Sequence, residues 1–330
     1  MQLFDKGKPP VGVVLDCNMG RGIDDALALA LLYGLEAKNE ARMVSVSVSN
    51  SNLNAAAYVD AVMRFYSNAP TSGPFAGFSR TLPVGLRAGK PMEEAEFLDG
   101  PLSKKKPDGS PVYSRTIHSV NDTAEVPALI RNALTSQYDG NCVVVLTGPA
   151  TNLAKALGLA GVKELISQKV RMLCVAGGAY PDGPAEFNFK SDVAAARKLF
   201  AEWPSPIVAL GAEAAGQLKF PASSIESAFT WSPAHPIVDA YRAYKPMPYD
   251  APAGDMAAVL YAVRPQEGWF KLSDTGTIGV LDDGRAKFTA GAGGQHRYLI
   301  FDLAQSEKLV KAFTELASAR PAVRGPRPAK

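Results

Sequence analysis

Residues Val13 to Leu32 read VVLDCNMGRGIDDALALALL, and this stretch decides the fold. The short β-branched run Val11 to Leu15 is typical of a buried parallel strand. Gly20 and Gly22 allow the chain to turn sharply, and we expect the Ala/Leu helix that follows to continue to Gly34. The stretch therefore predicts one strand, loop and helix unit of a parallel α/β sheet.

Four polar residues are concentrated in this unit. Asp16 and Asn18 lie at the predicted carboxyl end of the strand, and Asp24 and Asp25 lie in the first turn of the helix. Adjacent carboxylates repel one another, so the group needs a counter-charge, a raised pKa or a helix N-terminus. Oxygen ligands without His or Cys favour Ca²⁺ over zinc, with Mg²⁺ as a weaker alternative. The simpler interpretation is that Asp24 and Asp25 only cap a helix.

The amino-acid composition and net charge of the chain indicate which kinds of binding partner to expect. The chain has 330 residues, 47% of them hydrophobic, and a net charge of +3, which fits a globular protein and gives no strong case for nucleic-acid or membrane binding. The odd number of cysteines, Cys17, Cys142 and Cys174, predicts buried thiols. No leader is evident, so we expect a cytoplasmic protein, or a periplasmic or secreted one if a leader was trimmed.

The order of elements predicts the fold class. Strand candidates at Met43–Val48, Cys142–Leu146, Val170–Val175 and Pro206–Leu210 alternate with helical segments. This pattern predicts an α/β fold with a mostly parallel central sheet and helices on both faces. Ligands of such sheets bind outside the carboxyl ends of the strands. We expect one domain over residues 1–319 and a disordered tail over 320–330.

More polar residues follow the later strands. Asn50 and Thr147 each stand just beyond a strand candidate, and Glu186 and Asn188 are two apart in a segment we expect to be extended, so both side chains would face one side. Asp255 opens the predicted helix Gly254–Val263, where it could be a cap only. The tyrosines between Pro221 and Asp250 could stack a planar base or simply pack together.

Residues 16–29, DCNMGRGIDDALAL, resemble the amino-terminal signature of the inosine-uridine-preferring nucleoside hydrolases, in the branch that reads Asp-x-Asp-Met-Gly-Asn-Asp-x-Asp-Asp. Three further blocks resemble the family in the expected order: TGPATNL at 147–153, the glycine pair with EFN at 177–188, and the helix at 254–265. The resemblance extends to about Pro265. It implies a nucleoside hydrolase-like open α/β architecture.

The resemblance also implies an activity and a set of site residues. The activity is cleavage of the N-glycosidic bond of a ribonucleoside by a calcium-bound water. The implied metal ligands are Asn18, Asp25, the carbonyl of Thr147, and Asp255, with Asp250 as the fallback for Asp255. The implied sugar contacts are Asp24 and Asn188 at the 2′-hydroxyl, Asn50 and Asp255 at the 3′-hydroxyl, and Glu186 near the 5′-hydroxyl.

Several positions depart from the family pattern. Asn18 replaces the aspartate assigned as the base that activates water, and an amide cannot accept a proton at neutral pH. Asp16 or Asp24 would then have to substitute as base. Arg21 and Gly22 replace Asn-Asp, and an Arg21 side chain that points into the site would weaken or replace the cation. Ala179 replaces an asparagine, and Gly254 stands where many members have a histidine that helps the base depart.

Three hypotheses follow. The first is a calcium-dependent ribonucleoside hydrolase, impaired by Asn18. The second is a non-catalytic or repurposed member that binds a nucleoside or ribose-like ligand without cleaving it. The third is a haloacid-dehalogenase-like phosphatase with Asp16 as nucleophile. For the first two we expect a homo-oligomer, either a dimer or a tetramer, and a small-molecule ligand.

Overall fold

The computed structural model describes residues 9–67, 81–92 and 94–321. Within these ranges the strands are β1 (Val11–Cys17), β2 (Ala41–Val48), β3 (Val84–Leu86), β4 (Cys142–Leu146), β5 (Val170–Ala176), β6 (Ile207–Leu210), β7 (Lys219–Phe220), β8 (Ala251–Pro252), β9 (Phe270–Leu272), β10 (Gly276–Val280), β11 (Ala286–Ala290) and β12 (His296–Phe301). The helices in the same ranges are α1 (Asp24–Ala37), α2 (Leu53–Tyr66), α3 (Asp99–Ser103), α4 (Val126–Thr135), α5 (Thr151–Ala156), α6 (Val162–Lys169), α7 (Phe187–Ser191), α8 (Val193–Glu202), α9 (Ala212–Ala215), α10 (Ala222–Ser227), α11 (Pro236–Tyr244), α12 (Gly254–Val263) and α13 (Ser306–Ala317).

The main sheet is mostly parallel. Its order is β11-β10-β12-β6-β5-β4-β1-β2-β3, with β9 paired to β12. Strands β3, β2, β1, β4, β5, β6 and β12 are parallel to their neighbours in this run, whereas β9, β10 and β11 pair antiparallel. The chain leaves β1 toward β2 on one side and later returns to place β4 on the other. The strand order therefore reverses between β1 and β4, where such sheets bind ligands.

Helices cover both faces of the sheet, because successive side chains of a strand point to opposite sides. Val13 and Leu15 of β1 pack into a core with α1, α2, α12 and α13, whereas Val14 packs into a second core with α4, α5, α6 and α8. This arrangement confirms the predicted fold class.

Helices α1 and α12 lie in the middle of the first core and pack against each other. Every residue of α12 is buried, as is nearly all of α1 from Asp25 to Leu35. Both helices therefore carry acidic residues in their first turn, at the edge of an apolar environment. The packing of α1 against α12 therefore brings the acidic first turns of the two helices close together.

Helix α1 does not end at Gly34, as the Ala/Leu run suggested, but continues to Ala37. Gly34 instead allows α13 to approach, because a Cβ at this position would lie 2.0 Å from the carbonyl oxygen of Leu316. Gly34 is therefore explained by a tertiary contact, although in the sequence alone it looks like a glycine that ends a helix.

Other boundaries also differ from the sequence prediction. The proline, glycine and charged residues of Ala69 to Asn121 predict a long loop, but residues 84–86 form the parallel edge strand β3 beside β2. The sequence predicts a helix from Asp122 to Leu134 that Asp122 or Thr123 caps, but α4 begins at Val126 and Glu125 caps it. Asp122 instead completes the capping box of a short preceding turn whose N-cap is Ser119. Glu186 and Asn188 do not lie in an extended segment, since α7 begins at Phe187. The prediction that they share one face of a strand is therefore wrong.

The other predictions concern the cysteines, the number of domains and the carboxyl-terminal tail. The three cysteines are free and buried, as predicted. None of the helices in the described ranges is long and apolar enough to cross a membrane. The single-domain assignment over residues 1–319 remains a prediction, and most of the tail at 320–330 lies outside the described residues.

We expect the substitution Gly34→Ala to destabilise the protein. Alanine gains up to about 1 kcal/mol of helix propensity over glycine, but a contact this short with backbone cannot be relieved by rotating a side chain, and overpacking costs about 1–3 kcal/mol. Urea unfolding should therefore show a net loss of roughly 1–2 kcal/mol. The matched substitution Gly291→Ala, where a Cβ would meet nothing within 4 Å, should change stability little. Equal stability of both variants would contradict the packing argument.

Candidate functional site

Three carboxylates meet beside the point where the strand order reverses. Asp24 and Asp25 occupy the first turn of α1, and Asp255 occupies the first turn of α12. Each residue offers a carboxylate oxygen, and these oxygens all lie within 4.8 Å of one another. Residues 230 positions apart in the chain thus form one cluster that could hold a metal ion.

The cluster holds protons more tightly than ordinary aspartates. Burial raises the pKa of Asp25 to about 8, and the nearby charge of Asp24 adds to the effect. Burial, followed by the charges of Asp24 and Asp25, raises the pKa of Asp255 well above its usual range. Asp24, which is partly exposed, has a raised pKa mainly through desolvation. Hydrogen bonds join Asp255 to both neighbours, and two carboxyl groups share such a bond only when one is protonated.

Asn18 and Thr147 complete the surroundings of Asp25. The Asn18 backbone N–H and the Thr147 hydroxyl both donate to Asp25 Oδ1, at 3.2 and 2.7 Å. The Asn18 side chain is buried, yet neither its amide oxygen nor its amide nitrogen has a hydrogen-bond partner among the described residues. An unpaired buried amide costs roughly 1–3 kcal/mol. The donor set is all oxygen and Asn18 supplies an unpaired oxygen, so the residues present fit a hard cation.

The carbonyl of Thr147 is already engaged on one side. It accepts a hydrogen bond from Asn188 Nδ2 at 3.2 Å. A carbonyl oxygen has two lone pairs, so this bond leaves it one further contact.

Asp16 lies in the same region but is fully buried. Its Oδ1 accepts hydrogen bonds from Ser47 Oγ at 2.6 Å and Asn152 Nδ2 at 2.8 Å, and its Oδ2 has no partner in the described part of the chain. Burial raises the pKa of Asp16 to about 7, although both hydrogen bonds oppose the shift. A carboxyl group with this pKa exchanges its proton near neutral pH. Its burial and its two donors do not suit it as the exposed nucleophile of a phosphatase.

The side chains that the resemblance assigns to sugar binding already make hydrogen bonds to the protein backbone. The Asn50 side chain donates to the carbonyl of Met19 at 3.3 Å and accepts from the N–H of Met92 at 3.1 Å. The Glu186 carboxylate caps α7. Asn188 Nδ2 donates to the carbonyls of Thr147 and Ala176. These three side chains therefore fix the loops around the carboxylates, and their contacts with a sugar remain a prediction.

Three expectations concern neighbouring positions. Asp250 does not join the cluster, because its Oδ1 accepts a hydrogen bond from the N–H of Ala222 at 2.9 Å; the fallback is not needed. A Cβ on Gly254 would lie 3.0 Å from the Cβ of Ala215, so a larger residue at this position would press on α9. Ala179 is buried and brings no polar side-chain atom to the site.

The Arg21 side chain is exposed, and its guanidinium lies over the ring of Phe187, 3.3 Å from the ring centre. Its charge lowers the pKa of Asp24 slightly against the larger effect of burial. The three carboxylates still converge with Arg21 in this position. The sequence alone could not place Arg21, because its partner ring is 166 positions away.

The sequence did not predict two further groups of residues near the site. Ser47 and Asn152, which orient Asp16, were hidden among ordinary strand and helix-start residues; only the parallel register that pairs Asp16 with Ser47 reveals the first. A cleft of about 600 Å³ beside Gly20 is lined by Glu94, Glu96, Phe97 and Tyr244 among others. The rings of Phe97 and Tyr244 meet edge to face at 5.0 Å. The tyrosine-rich loop was a usable signal for Tyr244, but nothing indicated Phe97.

Comparisons with solved structures agree with this architecture. A plant nucleoside hydrolase is 21% identical and superposes with a TM-score of 0.65 over 94% of this chain and 100% of that one. An inosine-uridine preferring nucleoside hydrolase from Bacillus anthracis is 16% identical, with a TM-score of 0.65 over 93% and 99%. The type III effector protein XopQ, solved with adenosine diphosphate ribose, is 16% identical, with a TM-score of 0.66 over 94% of each chain. At these identities the likeness concerns the fold.

A search of curated protein sequences found no match. Nothing in these comparisons supports the phosphatase hypothesis. The family model for inosine-uridine preferring nucleoside hydrolases, however, matches residues 13–310, nearly the whole chain. With the carboxylate cluster at the reversal point of the sheet, this match gives the family: the chain belongs to the inosine-uridine preferring nucleoside hydrolases.

Proposed function

We propose that the protein is a ribonucleoside N-ribohydrolase of low turnover that uses a divalent cation, Ca²⁺ in preference to Mg²⁺. The observation that carries the proposal is the convergence of Asp24, Asp25 and Asp255 on one point beside the unpaired amide of Asn18. Oxygen-only ligands at flexible spacing suit Ca²⁺ better than the strict octahedron of Mg²⁺.

The residues that would hold the cation are Asn18, Asp25, Asp255 and the carbonyl of Thr147. Bound there, a divalent cation supplies positive charge that makes a water more acidic and attracts the ribose hydroxyls. Ionised Asp24 and Asp255 can accept hydrogen bonds from the vicinal hydroxyls of a ribose, which orients the anomeric carbon toward the cluster. The cleft lined by Phe97 and Tyr244 offers aromatic faces to a planar leaving base.

Hydrolysis needs a group that takes the proton of the attacking water, and Asn18 cannot do so. The remaining carboxylates are Asp16, with a pKa of about 7 and an unpaired oxygen, and the partly exposed Asp24. A positioned base contributes about 10²- to 10⁴-fold to the rate, or roughly 3–5 kcal/mol of barrier. We therefore expect slow turnover with ligand binding intact.

A second candidate function is binding of a nucleoside or ribose-like ligand without cleavage. The specific observation in its favour is the same amide of Asn18, which preserves an oxygen ligand while removing the proton acceptor. Assembly into a dimer or tetramer also belongs to the proposal.

The substitution Asn18→Asp tests the two functions against each other. It restores a proton acceptor, so release of base from inosine and uridine, followed by ultraviolet absorbance with calcium present, should rise by about 10²-fold or more. The matched substitution Asn132→Asp on the exposed face of α4 adds the same charge elsewhere and should change nothing. Measurable turnover before substitution supports the hydrolase. Ligand binding with turnover only in Asn18→Asp supports the second candidate, and no ligand binding by either protein would refute both.

Calcium binding should depend on pH. Because the pKa of Asp25 is about 8 in the folded protein and about 3.9 when unfolded, its buried carboxyl stabilises the metal-free fold below that lower value. This contribution is lost as the pH rises through about 8. A cation must displace the protons, so we expect calcium to raise the melting temperature more at about pH 8.5 than at about pH 6.

Differential scanning calorimetry with excess calcium chloride or with chelator measures this difference. The variant Asp255→Asn should lose the calcium-dependent shift, whereas Asp274→Asn, an exposed aspartate outside the cluster, should keep it. A calcium shift that is equal at both pH values, or that survives in Asp255→Asn, would count against this cation site.

A further inference from the structure

The cleft beside Gly20 is built from two parts of the chain that are distant in sequence. Its lining residues come from the segment 94–100, which includes Phe97, and from the end of α11, which carries Ala243 and Tyr244. The rings of Phe97 and Tyr244 are in edge-to-face contact. The shape of the cleft therefore depends on how the segment 94–100 is placed against α11.

The cleft adjoins the carboxylate cluster. A Cβ on Gly22 would lie 2.5 Å from Asp24 Oδ1 and 4.0 Å from the hydroxyl oxygen of Tyr244, so both groups lie close to this glycine. A ligand that is bound at the cluster can therefore extend into the cleft.

The segment 94–100 is tied to the start of α2 by two asparagines. Asn52 Nδ2 donates a hydrogen bond to the carbonyl of Glu94 at 2.8 Å, and Asn54 Nδ2 donates to Asp99 Oδ1 at 2.7 Å. These bonds fix the segment relative to α2. Its position against α11 depends on other contacts.

Asp239 of α11 supplies such contacts. Its Oδ2 accepts hydrogen bonds from Lys104 Nζ at 2.7 Å and from the Tyr113 hydroxyl at 2.5 Å. Lys104 directly follows α3, and its carbonyl accepts the N–H of Val112 at 2.9 Å, so both donors belong to one compact turn, 104–113. A single carboxylate oxygen of α11 therefore holds the turn that continues the segment 94–100.

The two donors differ in their surroundings. Tyr113 is buried, and burial followed by the hydrogen bond to Asp239 raises its pKa, so the hydroxyl keeps its proton and donates to the carboxylate. Hydrogen bonds to an ionised acceptor are the stronger ones. The side chain of Lys104 is 45% exposed, and ion pairs with a partner this exposed contribute little to the free energy of unfolding. Removing this lysine should therefore leave the protein folded.

We propose that Asp239 is a positioning residue for the base of a nucleoside ligand. It does not itself line the cleft, but by holding the turn 104–113 against α11 it fixes Phe97 relative to Tyr244. A cleft that is formed before binding avoids the cost of ordering its side chains around the base, which corresponds to roughly two- to tenfold in affinity for each side chain. The inference rests on the proposed function of this site.

The test compares a ligand that has a base with one that has none. Isothermal titration calorimetry with calcium present measures the affinity for inosine directly and the affinity for ribose by competition with inosine. We expect Asp239→Ala to bind inosine about tenfold more weakly, because both hydrogen bonds are lost, and to bind ribose within about twofold of the unaltered protein.

Two milder variants and a control accompany this variant. Tyr113→Phe, which keeps the ring, and Lys104→Met should each weaken inosine binding by roughly two- to fivefold, because each removes one hydrogen bond. The matched control is Lys163→Met: the side chain of Lys163 is also 45% exposed and pairs with Glu202, outside the cleft. It should change neither affinity.

The outcomes separate this inference from the function it rests on. Unchanged inosine affinity in Asp239→Ala, or an equal loss of affinity for inosine and ribose, overturns the inference and leaves the proposed function standing. If circular dichroism shows Asp239→Ala to be unfolded, the same comparison in Tyr113→Phe and Lys104→Met decides. If the unaltered protein binds neither ligand, the proposed function fails and the inference falls with it.

Discussion

The arrangement of the whole site depends on the placement of three carboxylates at the first turns of two buried helices. Helices α1 and α12 pack against each other inside an apolar core, and each has aspartate in its first turn. Their N-termini favour negative charge, but burial and mutual repulsion oppose it, which raises the pKa values of all three groups. A cluster held together by shared protons can exchange them for a cation, and this exchange is the physical basis of the proposed chemistry.

The sequence predicts the parts of this arrangement that are local. The strand, the glycine loop and the acidic first turn of α1 follow from residues 11–37, and the helix that Asp255 opens has the predicted bounds. Their meeting depends on packing between distant elements, and only the resemblance to a family indicated it. Local patterns gave wrong predictions where tertiary contacts determine the structure. Gly34 does not end α1 but allows α13 to approach, and Glu186 caps a helix in a segment that was predicted to be extended.

In the proposed function, Asn18 separates binding from catalysis. Its amide oxygen can face a cation as a carboxylate oxygen does, so the donor set keeps its chemistry and loses only a formal charge and a proton acceptor. Arg21, the second departure, has its guanidinium over the ring of Phe187. The carboxylate cluster therefore remains assembled despite both departures from the family pattern.

The most direct test of the central claim is a crystal structure of the protein grown with calcium chloride, with anomalous scattering data. The account predicts one anomalous peak between the carboxylates of Asp25 and Asp255, with oxygen distances of about 2.3–2.6 Å and the amide oxygen of Asn18 among the ligands. The account would be contradicted if, at saturating calcium, no peak lay there and the carboxyl groups remained hydrogen-bonded to one another.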